Sequence, residues 1–337
     1  MAYKYKHFIP QNTAPNGATS IGVYKDGVKV TDIPLGRMTP QTKTPTYSFG
    51  LVSDLHLYGS TTAWNGNNKF DAALAHFSSI GCAFCIHCGD ITDSGFYNYS
   101  TKERDLTQFA KYKEIRDKYP NFPVYGICGN HESITSIPIT NDLTDLEYYT
   151  GNELYYSLTR GNDLFILIGQ PTYNKVMGDD ALTWLGETLA TNVDKRCFVF
   201  VHSYIEEDSG DAVDYRENSV FDDWGTTKTN AFINLLRQYP NVVLFHGHSH
   251  MEFECQEYDV NANYTERNGF KSVHIPSVGK PRYIGVASDG TLTGETPPDN
   301  AGSQGYVVDV YDDCIVLNGM DLVSNEYVPL GVYKIDT

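Results

Sequence analysis

The sequence predicts an α/β fold in which strands and helices alternate, closed by a more antiparallel set of strands. Three observations predict it. From residue 47 to residue 246, apolar β-type runs alternate with segments of helical spacing, the pattern of a sheet covered by helices. Five of those runs end on metal-type ligands: Asp54-Leu55-His56, Gly89-Asp90, Gly129-Asn130-His131-Glu132, His202 and Gly247-His248-Ser249-His250. After His250 the helical spacing stops and strand-like runs follow one another.

Taken in order, residues 1–45 are rich in Pro, Gly, Thr and Lys and carry two strand-like runs, 19–24 and 28–33, around Lys25-Asp26-Gly27. An Asp-Gly between alternating residues is a hairpin signal, so this segment reads as a short N-terminal β appendage on a main domain spanning 46–337. Strands are expected at 47–53, 83–88, 123–128, 164–168, 197–201 and 242–246, with helices at 69–80, 102–118, 180–190 and 230–238. Further strands are expected at 251–259, 272–277, 306–311 and 314–318, forming a second, mostly antiparallel sheet. The connection 203–229 is acidic, with Glu206, Glu207, Asp208, Asp211, Asp214 and Glu217, and reads as a lid or as a solvated insertion. Residues 285–305, with Pro297 and Pro298, read as a second long loop.

Composition narrows the partners. A formal charge of −17 disfavours nucleic-acid polymers, whose binders present a basic face. Small phosphorylated substrates stay open, because bound cations reverse the local field. The opening Met-Ala-Tyr-Lys-Tyr-Lys-His leads into Phe-Ile-Pro rather than an apolar signal core, and no stretch approaches the length of a membrane span. A soluble, cytoplasmic chain is the expectation, and nothing in the sequence reports oligomeric state. Cys82, Cys85 and Cys88 have zinc-like spacing but lie in an apolar run with no second pair after it, so they read as buried thiols.

In open α/β sheets ligands gather where loops leave the carboxyl ends of the strands, so one edge could hold all these side chains. Asp, His and Asn suit Mn, Fe, Zn, Ni or Co better than soft-metal chemistry. Glycines at 89, 129 and 247, each just before a ligand, permit sharp turns.

Taken together, Asp-x-His, Gly-Asp, Gly-Asn-His-Glu, His and Gly-His-x-His in that order resemble the calcineurin-like metallophosphoesterase superfamily, from residue 47 to the C-terminus. The resemblance implies two mixed β-sheets packed face to face and flanked by helices. It also implies two divalent or trivalent transition metal ions. Asp54, His56, Asp90 and His250 would hold the first; Asp90, Asn130, His202 and His248 would hold the second, with Asp90 as the bridge. A metal-bridging hydroxide would attack phosphorus in line, with His131 assisting the leaving group and Asp93 orienting His131. Glu132 reads as structural.

Two departures narrow the branch. Purple acid phosphatases carry a tyrosine where Asp93 stands, and serine/threonine protein phosphatases follow that Asp with an arginine, where this chain has Ser94. The broad bacterial-type group remains. No arginine clamp for a terminal phosphate stands in the motifs, which favours a phosphodiester, although Arg216, Arg237, Arg267 or Arg282 could supply one. The alternatives are a phosphomonoesterase or nucleotidase and, from another class, a non-catalytic component of a phage-like or cell-surface assembly. A complete ligand set favours the enzyme. His76, His87, His246 and His274 read as packing or supporting residues, and Tyr204 as either pocket lining or core.

Overall fold

Side-chain alternation along the strands decides the layering of this chain. A computed structural model describes residues 20–25, 28–34, 44–58, 66–93, 102–132, 151, 153–169, 177–204, 225–257, 262–266, 268–286, 288, 292–295 and 302–337. Two compact units are distinguished, Met1–Thr44 and Pro45–Thr337. In the first, β1 (Ser20–Lys25) and β2 (Val28–Pro34) form an antiparallel pair.

The second unit runs through β3 (Tyr47–Val52), α1 (Gly66–Ser79), β4 (Cys85–Cys88), α2 (Lys102–Asp117) and β5 (Val124–Ile127). A hairpin of β6 (Tyr155–Arg160) and β7 (Asp163–Ile168) follows, then α3 (Asp179–Ala190), β8 (Arg196–Val201), α4 (Gly225–Leu236) and β9 (Val242–His246). The remaining strands are β10 (Tyr264–Thr265), β11 (Lys271–His274), β12 (Tyr283–Val286), β13 (Leu292–Glu295), β14 (Gln304–Val310), β15 (Cys314–Asp321) and β16 (Glu326–Asp336). They form two six-stranded sheets, β10-β11-β9-β8-β7-β6 and β16-β15-β14-β3-β4-β5, and the pair β12-β13.

Both sheets are mixed. In the first, β7, β8, β9 and β11 run parallel; in the second, parallel β3, β4 and β5 continue into antiparallel β14, β15 and β16. Along β8, Phe198 and Phe200 join Phe49, Ile86 and Val308 of the other sheet in a central core, while Cys197, Val199 and Val201 pack with Leu185, Leu189, Phe232 and Leu236 of α3 and α4. Aromatic rings interlock across the central layer, Phe49 and Phe84 meeting Phe165 edge-on at 5.5 and 5.3 Å. On the outer face of the second sheet, Phe70, Ala73, Leu74 and Phe77 of α1, spaced 3-1-3, pack with Phe109, Tyr112 and Ile115 of α2. The strands read as unbroken apolar runs because both faces are covered.

The sheets are also joined by polar groups at the edge where these strands begin. Tyr47 donates to Asp163 Oδ2 at 2.6 Å, and Arg196 Nε donates to Asp163 Oδ1 at 2.6 Å. Arg196 Nη1 donates to the Tyr311 carbonyl and Thr337 Oγ1, both at 2.8 Å. A cavity of about 630 Å³ lies at this edge, with Tyr47, Asp163 and Arg196 in its lining.

Several expectations are corrected. The strand expected at 251–259 is a 3-10 turn, Phe253–Glu257, whose Phe253 and Cys255 are buried. The strand expected from 272 joins β9 in parallel, not a separate antiparallel sheet, while β14 pairs with β3 and β15 pairs with β14. Residues 285–305 contain β13 and the end of β12, and α4 begins inside the expected 203–229 loop. Residues 205–224, with that loop's acidic positions, lie outside the described residues. All seven cysteines are buried and free, as expected for Cys82, Cys85 and Cys88. Among the described residues no helix is long and apolar enough to cross a membrane.

Candidate metal centre

Strand ends from both sheets meet at the opposite edge. Past Val52 the chain keeps its pairing with the β4 exit: Asp54 N–H donates to the Gly89 carbonyl at 3.2 Å and His56 N–H to the Asp90 carbonyl at 2.9 Å. Asp54 Oδ2 accepts from His248 N–H at 3.0 Å, joining the β3 exit to the β9 exit. Asp90 Oδ1 accepts from His131 N–H at 2.9 Å, joining the β4 exit to the turn Asn130–Glu132. His202 leaves β8 and donates from Nδ1 to the Cys88 carbonyl at 2.7 Å.

The seven positions that the sequence marks as metal ligands all come together, none more than 6% exposed. Asp54, His56, Asp90 and His250 offer ligand atoms within 4.8 Å of one another, and so do Asp54, Asp90, His202 and His248. Asn130 Oδ1 lies 3.1 Å from His202 Nε2 and so joins the second group. Both carboxylates belong to both groups. Asp90 turns a different oxygen to each, Oδ2 at 3.6 Å from His56 Nε2 and Oδ1 at 3.3 Å from His202 Nε2.

Imidazole tautomers follow from the outer partners. His56 Nδ1 donates to Asp93 at 3.0 Å and His250 Nδ1 to the Lys280 carbonyl at 2.7 Å, as His202 Nδ1 does to Cys88. The Nε2 lone pairs of all three then point inward, those of His56 and His250 facing each other at 3.1 Å. Asp54 Oδ1 and Asp90 Oδ2 are buried there and accept no hydrogen bond among the described residues. Two acid oxygens and converging imidazole lone pairs repel unless positive charge lies between them. The donor set therefore fits a pair of cations.

Electrostatics agree. Burial alone would raise the Asp54 acid, yet His250 and His202 bring it down to about 2. Burial works the same way on Asp90, and His202 and His131 hold it well below the carboxylate range. Burial lowers His56 to about 3, leaving its ring neutral at physiological pH. Against burial, Asp90 and Asp54 push His202 up to about 9: without cations a proton on its Nε2 answers the two carboxylates, and a cation would displace that proton and take up the lone pair.

The backbone carries a second mark. Asp54, His56, Asp90, His248 and His250 have φ of 53°, 45°, 48°, 69° and 66°, and among the described residues Asn325 is the one other non-glycine with positive φ. This conformation costs about 1–2 kcal/mol per residue and concentrates where geometry serves a ligand. Two glycines make room. Gly89 has φ of 92°, and a Cβ there would lie 2.5 Å from His202 Nδ1; a Cβ on Gly129 would strike Asp90 Oδ1.

The other named residues fall as follows. His131 stands beside the cluster, its ring 4.6 Å from that of His56 and its Nε2 3.8 Å from Asp90 Oδ2. Asp93 offers an oxygen within 4.8 Å of ligand atoms of both His56 and His131. Its bonds run to His56, to the Tyr58 hydroxyl and to the Lys280 ammonium. Glu132 accepts from Thr92 and Gly129 N–H at 2.7 and 2.6 Å, a structural bracket, and is pushed up to about 8 by burial and the Asp90 charge. His87 pairs with the Tyr112 hydroxyl at 2.9 Å and His274 with Ser249 Oγ at 2.6 Å, both outside the cluster. Buried Tyr204 stacks over His248 at 6.0 Å. Tyr58 and Lys280 are site neighbours that the sequence reading missed. Their one signal was placement just past the ends of β3 and β11.

A dimetal phosphatase from Danio rerio aligns with a TM-score of 0.57 at 15% identity, over 87% of this chain and 99% of that one. A predicted phosphoesterase from Streptococcus pneumoniae aligns with a TM-score of 0.40 at 9% identity, over 86% and 98%. Vps29 complexed with zinc, from Entamoeba histolytica, aligns with a TM-score of 0.37 at 11% identity, over 86% and 98%. No curated protein sequence matches the chain. The family model for calcineurin-like phosphoesterases matches residues 47–252, the span that holds all five ligand-bearing strand ends. The chain belongs to the calcineurin-like phosphoesterase family.

Proposed function

We propose that the protein is a dinuclear metal-dependent hydrolase of phosphate esters. The observation that carries this reading is the convergence, in one buried cluster, of two carboxylates and inward-facing imidazole nitrogens whose outer nitrogens are anchored. Asp54, His56, Asp90 and His250 would hold one ion and Asp90, Asn130, His202 and His248 the other. Bound there, the ions would supply Lewis acidity, activating water and offsetting charge on the phosphoryl oxygens. The surrounding residues do the rest. Asp93 fixes the His56 ring, the Cys88 and Lys280 carbonyls fix His202 and His250, and burial excludes bulk water from the ligand atoms. His131, tied to Asp90 through its backbone and 7% exposed, is placed to donate a hydrogen bond or a proton to a departing oxygen.

The test is hydrolysis of p-nitrophenyl phosphate and bis-p-nitrophenyl phosphate by chelator-stripped protein reloaded with Mn, Zn, Ni, Co or Fe, with His131→Ala alongside. Metal-dependent turnover that largely disappears in the variant is expected. A protein that binds two equivalents of metal yet hydrolyses neither ester would sink the reading in favour of a binding role. The diester preference rests on the missing arginine clamp. Arg237 is committed to the Asn268 carbonyl at 2.5 Å, Arg282 lies beside the site with its N–H donating to the His250 carbonyl at 2.9 Å, and Arg216 and Arg267 lie outside the described residues.

A further inference from the structure

Lys280 is held beside the metal-binding cluster by partners from both sheets. Its carbonyl accepts from His250 Nδ1 at 2.7 Å, its N–H donates to Ser277 Oγ at 2.8 Å, and Ser277 Oγ donates to the Asp54 carbonyl at 2.9 Å. The ammonium ends on Asp93 Oδ1, the oxygen that also receives His56 Nδ1. The Lys280 side chain is 19% exposed and Asp93 5%, so the ammonium is the outermost charge of this chain of contacts. Its positive field reaches both His56 and His131.

A fixed cation beside a site built for cations opposes metal binding. Asp93 lies between the ammonium and His56 and screens that cost, so the lysine can stay beside the ions and meet an anion they hold. We propose that Lys280 grips a terminal oxygen of the substrate phosphoryl group and makes this a phosphomonoesterase, an inference that rests on the phosphoesterase reading above. A monoester dianion presents three terminal oxygens and a diester monoanion two, so a further donor beside the metal ligands is matched fully by the monoester alone. Lysine binds phosphate as a point charge where arginine would fork. It thus fills the part whose absence from the motifs pointed to a diester.

The experiment compares manganese-loaded wild type, Lys280→Gln and Lys280→Arg. Three quantities are read: bound metal, inorganic phosphate affinity by calorimetry, and kcat and KM for p-nitrophenyl phosphate and its bis ester. Loss of one charge-assisted hydrogen bond should weaken phosphate binding and raise the monoester KM by about tenfold to a hundredfold in Lys280→Gln. The diester KM should change by less than about twofold, metal content should hold, and Lys280→Arg should recover most of the loss. Unchanged phosphate affinity, equal losses on the two esters, or loss of metal would overturn the proposal and leave Lys280 as a support for Asp93. Wild type inactive on both esters would count against the phosphoesterase reading instead, and calorimetry with inorganic phosphate would still decide the role of Lys280.

Discussion

Asp93 is where sequence and structure give different emphases, and one substitution separates them. The resemblance makes it the partner of His131; the hydrogen bond in the structure runs to His56 Nδ1 at 3.0 Å, between side chains 5% and 1% exposed. If Asp93 serves His56, its removal should weaken metal binding. Loss of an outer partner of a ligating histidine costs about 10–100-fold in metal affinity, or about 1.4–2.7 kcal/mol. Asp93→Asn keeps an acceptor for His56 but loses the charge facing Lys280, and should fall near tenfold. Asp93→Ala removes the acceptor as well and should approach a hundredfold. Competition with a fluorescent chelator measures this directly, with kcat determined at saturating metal. Unchanged metal affinity with a large drop in kcat would refute the reasoning and return Asp93 to His131.

Other outcomes follow from the same geometry. Asp90→Ala should lose both metal binding and turnover, whereas His131→Ala should retain metal by elemental analysis and lose about 10²–10⁴ in kcat. Phe198→Ala opens the central layer between the sheets and should cost about 3–5 kcal/mol in chemical denaturation. His87, brought by burial from 6.5 down to about 3, is a neutral ring in the fold. The unfolded chain binds the extra proton between those values, so stability is complete above about pH 6.5 and falls with acidification, by up to about 1.4 kcal/mol per pH unit. In chelated protein, His87→Gln should flatten the dependence of unfolding free energy on pH between about 4 and 6 by about one proton; parallel curves would contradict the assignment.

Much of the fold was legible because covering both faces of a parallel strand leaves an unbroken apolar run, as in Phe165-Ile166-Leu167-Ile168 of β7. The edge strands β6 and β16 were not. β6, Tyr155–Arg160, is half exposed, and its Tyr-Tyr-Ser-Leu-Thr-Arg carries little periodicity. β16 contains Pro329 at an outer position of its sheet. The turn Phe253–Glu257 shows buried Phe253 and Cys255 two apart, a spacing that reads equally as a strand. At the site, the seven ligands follow five strand ends and could be read locally. Lys280 depends on β11 lying parallel beside β9, a long-range pairing that no local pattern records.

The clasp of Tyr47, Asp163 and Arg196 stands at one margin of the sandwich, and the bond from His248 N–H to Asp54 stands at the other. Ties at both margins oppose sliding of one sheet over the other, so the five ligand-bearing strand ends, drawn from both sheets, are held in one fixed arrangement.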